Sequence, residues 1–356
     1  MPSDLGPPRK RARVEADADA DTTDVQKDEQ VWFSDGSIVV VAANKVAFRV
    51  HKGTLSLRSE VFRDLFSLAV THADADAATA ETMDGCSVVH LTDSPEDIRH
   101  LFLVLCCGKN YYYSSDAPIP VPFAILASLI CMAHKYAVQD VLDDALSRLK
   151  KHYTNDLAAW QDSDSRERYV TALDQDAPTA IHLARLTNTP SLLPTAFIVC
   201  TQLADAWLER RPDGSYVSRL AALSVPDQAR VTVGKAHLVH ARATRALHLL
   251  GAAPSAHCTT RETCQATKEA PVVALRGKPY LLKSSMSDGL ALTPMADIFW
   301  SRRSHWRKFC GSCQEALVEE DELVIRWLWD ILPVLFSLQI DGDSWPSRPV
   351  AETAGP

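Results

Sequence analysis

Apolar and polar positions begin to alternate near Val31. The run "DGSIVVVA" joins an Asp-Gly turn signal to β-branched residues, and after the polar "ANK" the positions Val46, Phe48 and Val50 alternate with polar or small neighbours. That pattern predicts two strands joined as a hairpin, the second half-buried. The period then changes. Residues 51–58 read as a short helix, Ser59 offers an N-cap, and Val61, Phe62, Leu65 and Phe66 follow at helical spacing. "THADADAATAETMDG" reads as an acidic, alanine-rich surface insertion and "CSVVHL" as a third strand. Ser94-Pro95-Glu96-Asp97 combines an N-cap serine, a proline at the first helical position and a carboxylate at the third. Ile98, Leu101, Phe102 and Leu105 then fall on one helical face. Two further helices are expected over about 122–136 and 139–153, the second with Leu142, Ala145, Leu146 and Leu149 on its apolar face.

Beyond residue 153 the period stays helical. "PTAIHLARLT", "TPSLLPTAFIVCTQLADAWLER" and "KAHLVHARATRALHLL" predict helices, several with proline in the opening turn, and no strand is expected before about residue 270. No repeat of fixed period is evident. Residues 252–323 have few periodic apolar positions and read as loop-rich. "VIRWLWDILPVLFSLQI" reads as a buried or amphipathic helix, because Arg326, Asp330 and Pro333 interrupt it. The resulting division is a disordered tail at 1–30, a first domain at 31–153, an α-helical region at 154–251, a small cysteine-containing module with a terminal helix at 252–340, and a frayed Pro/Ser-rich tail at 341–356.

Composition narrows the function classes. The chain has 356 residues, a length that suits two or three domains, and its hydrophobic share of 46% is that of globular proteins. A net charge of −8 argues against a protein that coats nucleic acid. The N-terminus has no apolar segment of the secretory type. The run "VPFAILASLICMA" falls short of the ~20 residues that cross a bilayer. A nuclear or cytoplasmic location is therefore expected, with no membrane partner. Arg9, Lys10, Arg11 and Arg13 form a short basic cluster ahead of an acidic stretch. Such a cluster is what nuclear import receptors read, although a flexible tail can carry four charges for no such reason.

The nine cysteines are spread over the chain, and without a secretory signal disulfides are not expected. Cys106, Cys107, Cys131 and Cys200 sit in apolar surroundings and are expected in the core. "HCTTRETC" supplies Cys258 and Cys264, and "HWRKFCGSC" supplies Cys310 and Cys313. The second pair has the spacing that lets two thiolates share a tetrahedral ion, and the first is looser than usual. Three readings stay open: a structural zinc site, ordinary reduced thiols, or a redox pair, the last requiring a Cys-x-x-Cys that opens a helix after a strand. Arg302, Arg303, Arg307 and Lys308 beside this motif could contact DNA phosphates, but a solvated face is the preferred reading. No nucleophile elbow, phosphate loop or zincin helix is present in the sequence, so an enzyme and a small-molecule substrate are not expected. His51 lacks an acid, base or nucleophile partner and is expected to cap backbone groups at a strand–helix junction.

The order hairpin, two short helices, strand, three helices resembles the BTB/POZ domain. The residues that carry the resemblance are "SDGSIVVVA", "FRVHKGTLSLRSEVFRDLF" and "VVHLTDSPEDIRHLFLVL". The later part, through "LPTAFIVC", "LSVPDQARVTVGKAHL", the Trp306-x3-Cys310-x2-Cys313 motif and "WDILPVLFSL", resembles the C-terminal halves of BTB proteins abundant in mushroom-forming (basidiomycete) fungi. The implied fold is α+β: a short sheet with flanking helices, then a helical region and the cysteine module. The implied role is protein association without catalysis. It takes two forms, a substrate adaptor for a cullin-based ubiquitin ligase, or a self-associating nuclear scaffold or transcription-associated regulator. In the second, Asp35 and Arg49 would match a charged pocket near a dimer interface, against the plainer reading of a surface ion pair. In the first, the cullin-facing surface would lie near residues 94–113, where Tyr111, Tyr112 and Tyr113 either face a partner or alternate inward in a short strand. Residues 154–210 would add a helical pair. The absence of an amphipathic helix in residues 1–30 counts against a strand-swapped dimer and leaves association through residues 51–66 open.

Overall fold

The computed structural model describes residues 25–75, 81–114, 119–203, 208–210, 216–218, 220–277, 291–299, 303–340 and 345. The expected hairpin is present: β2 (Ile38–Val41) pairs antiparallel with β3 (Val46–Val50), Val40 opposite Phe48. β5 (Cys86–His90) lies parallel to β2 and carries the short β4 (Thr82–Met83) on its outer edge. The sheet begins earlier than expected. β1 (Gln26–Trp32) runs parallel to β3, giving the order β1-β3-β2-β5-β4. "QKDEQVW" hides this strand because only Val31 marks a buried apolar position. Its hold is polar instead. Buried Asp28 accepts the N–H groups of Gln30 and Val31 at 2.9 and 2.8 Å and pairs with Arg99 Nε at 2.6 Å.

Five helices flank this sheet: α1 (Lys52–Arg58), α2 (Glu60–Ala75), α3 (Pro95–Cys107), α4 (Phe123–Lys135) and α5 (Gln139–His152). Ser59 caps α2 by accepting from Phe62 N at 3.0 Å, and its hydroxyl donates to Tyr136 O at 2.6 Å. Phe62 stacks on Tyr136 with ring centroids 4.3 Å apart. Ser94 caps α3 as its sequence requires, and Gly108 ends that helix at φ 68°, where a Cβ would be strained. α2 runs to Ala75, into the stretch read as an acidic, alanine-rich surface insertion, whose alanines favour helix.

The chain beyond residue 153 is built onto this unit. It contributes α6 (Leu157–Gln161), α7 (Ser163–Glu167), α8 (Ala177–Leu186), α9 (Leu193–Leu203), α10 (Val225–Gly251), α11 (Arg261–Gly277), α12 (Met295–Phe299), α13 (Arg303–Trp306), α14 (Gly311–Asp330) and α15 (Leu332–Leu335). Three short strands also occur where none was expected: β7 (Val170–Thr171), β8 (Leu208–Arg210) and β9 (Tyr216–Ser218). They are too short to show a period. β7 matters most, because it pairs parallel with β6 (Val121–Pro122) just ahead of α4. Beside it, buried Arg148 of α5 donates to Tyr169 O at 2.9 Å, Ser114 O at 2.7 Å and Ile119 O. One hydrophobic core runs continuously across this seam.

Three other expectations change. Residues 252–323 are not mainly loop, since α11 and α14 cover much of them. α14 buries Leu317, Asp321, Ile325 and Leu328 along one face, and the charge in that row masks the pattern. The terminal tail holds buried Trp345, whose ring lies 4.9 Å from Trp329 and whose indole N–H donates to Trp329 O at 3.2 Å. Of the four cysteines expected in the core, only Cys200 is buried, and Cys107 is exposed. Among the described residues no helix is long and apolar enough to cross a membrane.

α10 packs against the C-terminal segment at a glycine. Phe336 is buried, stacks on Phe197 with centroids 5.4 Å apart, and sits where a Cβ on Gly234 would be, 2.2 Å from its ring atoms. Gly234→Ala is therefore expected to lose roughly 1–3 kcal/mol by overpacking. Gly251→Ala, where a Cβ meets nothing within 4 Å, is expected to be near neutral. Urea denaturation of both variants checks this, and equal midpoints would contradict the contact.

Candidate functional site

The first site is built by two helix starts and a loop. Cys258 follows α10 in a turn, its N–H donating to Ser255 O at 3.0 Å. Cys264 lies in the first turn of α11 and is buried. Cys310 is the N-cap residue of α14, and Cys313 is buried in its first turn, its N–H donating to Cys310 O at 3.0 Å. The 45 residues between Cys264 and Cys310 thus fold back so that all four Sγ atoms lie within 4.8 Å of one another. Cys258 and Cys310 are the outer pair, with sulfurs 3.7 Å apart. Cys310 N–H and the Thr260 hydroxyl both approach Cys264 Sγ at 3.3 Å, as donors around a thiolate would.

Four convergent thiols fit a tetrahedral ion. Their protonation is uneven without one. Backbone N–H groups of Thr259 and Cys313 hold the Cys310 thiol low, at about 6, whereas burial pushes Cys313 up to about 12. A cation held by all four would keep each as thiolate. His257 and His305 are exposed and stand outside the set. Cys310 does open a helix, contrary to expectation, but no strand leads into it, and two further sulfurs adjoin the pair. The thiols sit in a satellite core with Leu249, Met295, Phe309 and Leu317, distinct from the main one. The two cores are joined by buried Arg245 of α10. It pairs with Asp321 of α14 at 2.7 Å and donates to Ala291 O at 2.5 Å and to Thr293 O.

The second candidate surface lies on the N-terminal unit. His51 does not cap α1 with its ring; the Ser37 hydroxyl accepts from Lys52 N at 3.0 Å and takes that role. The imidazole instead packs 5.0 Å from the Phe33 ring and reaches Asp35 Oδ1 at 3.2 Å. That hydrogen bond holds the Asp35 carboxyl below its usual range. Arg49 donates to Gly36 O at 3.0 Å rather than to Asp35, so the two residues do not form the expected ion pair. The tyrosines form no strand. Tyr111 and Tyr112 lie in a single 3-10 turn, Asn110–Tyr112, with the half-buried Tyr112 edge-on to His100 at 6.5 Å. Tyr113 is buried in the core. The Tyr111 side chain, those of Arg302 and Arg303, and the cluster Arg9, Lys10, Arg11 and Arg13 lie outside the described residues. Arg307 and Lys308 are exposed.

The BTB/POZ domain family matches residues 26–153, the span from the first residue of β1 to the residue that caps α5. Residues 26–153 form a BTB/POZ domain. No curated protein matches the chain. BTB/POZ domains are protein–protein interaction modules, generally without catalysis. The four-thiol centre therefore belongs to a region attached to an interaction domain, and Arg148, inside that domain, lies at the joint.

The sequence reading missed the polar joints of this region. Arg148, Arg245, Asp321 and Trp345 carry no motif, and only Asp321's place in an apolar helical row could have singled it out. For the thiols, the expected outcome is close to one equivalent of bound metal in protein purified without chelator, measured by mass spectrometry of the elements. Cys264→Ser and Cys313→Ser should each lose it. Less than about a tenth of an equivalent in a folded sample would contradict the site.

Proposed function

We propose that the chain is a non-enzymatic adaptor: its BTB/POZ domain engages the cullin scaffold of a ubiquitin ligase, and the region beyond residue 153, stapled by a structural zinc ion, presents a client protein. The observation that carries this reading is the seam. Arg148, the β6–β7 pair and the shared core join the interaction domain to the following helices without a flexible linker. A rigid joint suits a protein that must hold a client at a fixed place relative to a scaffold. Zinc is the preferred ion because four clustered cysteines match the closed tetrahedral set it takes in structural rather than catalytic sites.

A second reading, a self-associating nuclear scaffold, draws on the exposed apolar side chains Leu57 and Val61 at the α1–α2 corner. It draws also on the basic cluster at Arg9, Lys10, Arg11 and Arg13 as an import signal. DNA contact by Arg307 and Lys308 is not advanced, because a solvated face explains their exposure.

Calorimetry of the full chain with a basidiomycete cullin separates the readings. The adaptor predicts a dissociation constant on the order of micromolar or tighter. It should weaken about tenfold in Asn110→Arg, a change at an exposed position beside the tyrosine turn. No binding by a folded sample would overturn the adaptor. A dimer in light scattering that Leu57→Asp converts to monomer would then support the scaffold, and a wild-type monomer would oppose it.

A further inference from the structure

A polar cleft of about 580 Å³ opens between α6–α7 and α14, closed on a third side by residues 292–294. It lies wholly in the region beyond the BTB/POZ domain. Its most unusual member is Arg166. The guanidinium carbon lies over the Trp160 ring, 4.3 Å from its centroid, in a cation–π contact. Its Nε is shut off from solvent and makes no hydrogen bond, and among the described residues Arg166 forms no ion pair. Glu167, Asp174 and Asp162 act on this half-buried guanidinium only at longer range, so it has lost hydration without a contact ion pair, and a bound anion would supply one at the nitrogens other than Nε.

The other charges in the cleft decide which anion. Arg326 is already paired with Glu322 at 3.1 Å, and both are half-exposed. Asp297 is exposed and solvated, so its effect on a ligand is screened. Arg166 is therefore the cation of the lining without a contact ion pair, with Asp297 and Glu322 as the carboxylates beside it in the cleft. A phosphate dianion would meet repulsion from Asp297 and Glu322, whereas a single carboxylate can take the planar guanidinium and avoid them. The walls from Leu157, Trp160 and Ile325 are apolar, and the exposed amides of Gln161 and Gln202 stand at the edge, where a peptide backbone can pair with them.

We infer that this cleft is a recognition site for a peptide segment that carries a carboxylate, with Arg166 stacked on Trp160 as the group that reads it. The inference rests on the adaptor reading, for which it names the class of client. The chemistry is reversible binding: a carboxylate accepts hydrogen bonds from the guanidinium, and neighbouring apolar groups lie against Trp160 and Ile325.

The test pans the full, metal-loaded chain against a displayed library of random peptides. The enriched peptides are then synthesised and titrated by fluorescence polarisation. Enriched sequences should share an Asp or Glu. Replacing that residue with its amide should weaken binding by about tenfold or more, and Arg166→Gln should cause the same loss without adding to it. Asp297→Asn, at an exposed position where folding is not at stake, should tighten binding severalfold by removing a like charge. Failure to enrich an acidic peptide would overturn the inference. So would equal affinity for wild type and a folded Arg166→Gln. Should Arg166→Gln not fold, an Asp297→Asn variant that binds no more tightly overturns it alone. Cullin binding measured on the same wild-type sample keeps the two readings apart: peptide binding without cullin binding retires the adaptor and leaves the cleft, and the converse retires the cleft.

Discussion

The C-terminal third of the chain depends on four sulfurs meeting at one point. Ordering a residue costs roughly 1–2 kcal/mol of backbone entropy, and a small satellite core returns little against that over the stretch from Cys258 to Leu317. The four thiols close this stretch twice, at the start of α11 and at the start of α14, and the proposed ion shared among them would supply the binding free energy that apolar burial lacks. α14 is then fixed at its first turn. Its remaining length carries that order outward, through Asp321 to Arg245 and through Trp329 to Trp345 and to the carbonyl of Asn155.

The N-terminal unit needs no such device. Its sheet, the Phe48, Phe62 and Phe102 cluster and the Ser59–Tyr136 hydrogen bond form a core of ordinary density around one signature stretch. Where it meets the later helices the joint is polar and buried. Arg148 gives its donors to three main-chain carbonyls, of which Tyr169 O across the seam also accepts from Val121 N, so the seam has a specific geometry rather than a merely greasy one. The cleft at Trp160 and Arg166 lies on the first helices after the seam.

Much of this was legible in the sequence. The β-branched run at Ile38, the alternation from Val46 to Val50 and the helix signals at Ser59 and Ser94 stated their structures, because each is a local pattern with a local cause, whereas the Cys-x-x-Cys and its distant pair marked the four thiols and left open what they do. What stayed hidden was held by long-range polar contacts. β1 is fixed by Asp28 meeting Arg99 across 71 residues, and neither residue announces it. The tyrosine run misled because three adjacent aromatics carry no direction of their own, and the turn at Asn110 chose which one entered the core. His51 was expected to cap, but Ser37, adjacent across the hairpin, was better placed to do so. The buried Trp345 sits in a Pro/Ser-rich stretch whose composition argues for disorder, and no periodic pattern marks it as a core residue.

The claim that the C-terminal module is metal-stapled while the BTB/POZ domain stands by itself is tested most directly by amide hydrogen exchange on the full chain, before and after chelation. The account predicts that protection falls in residues 252–277 and in the first turns of α14, while α3, α4 and α5 exchange as before. Unchanged exchange around the four thiols in metal-free protein, or a loss spread evenly over the whole chain, would contradict it.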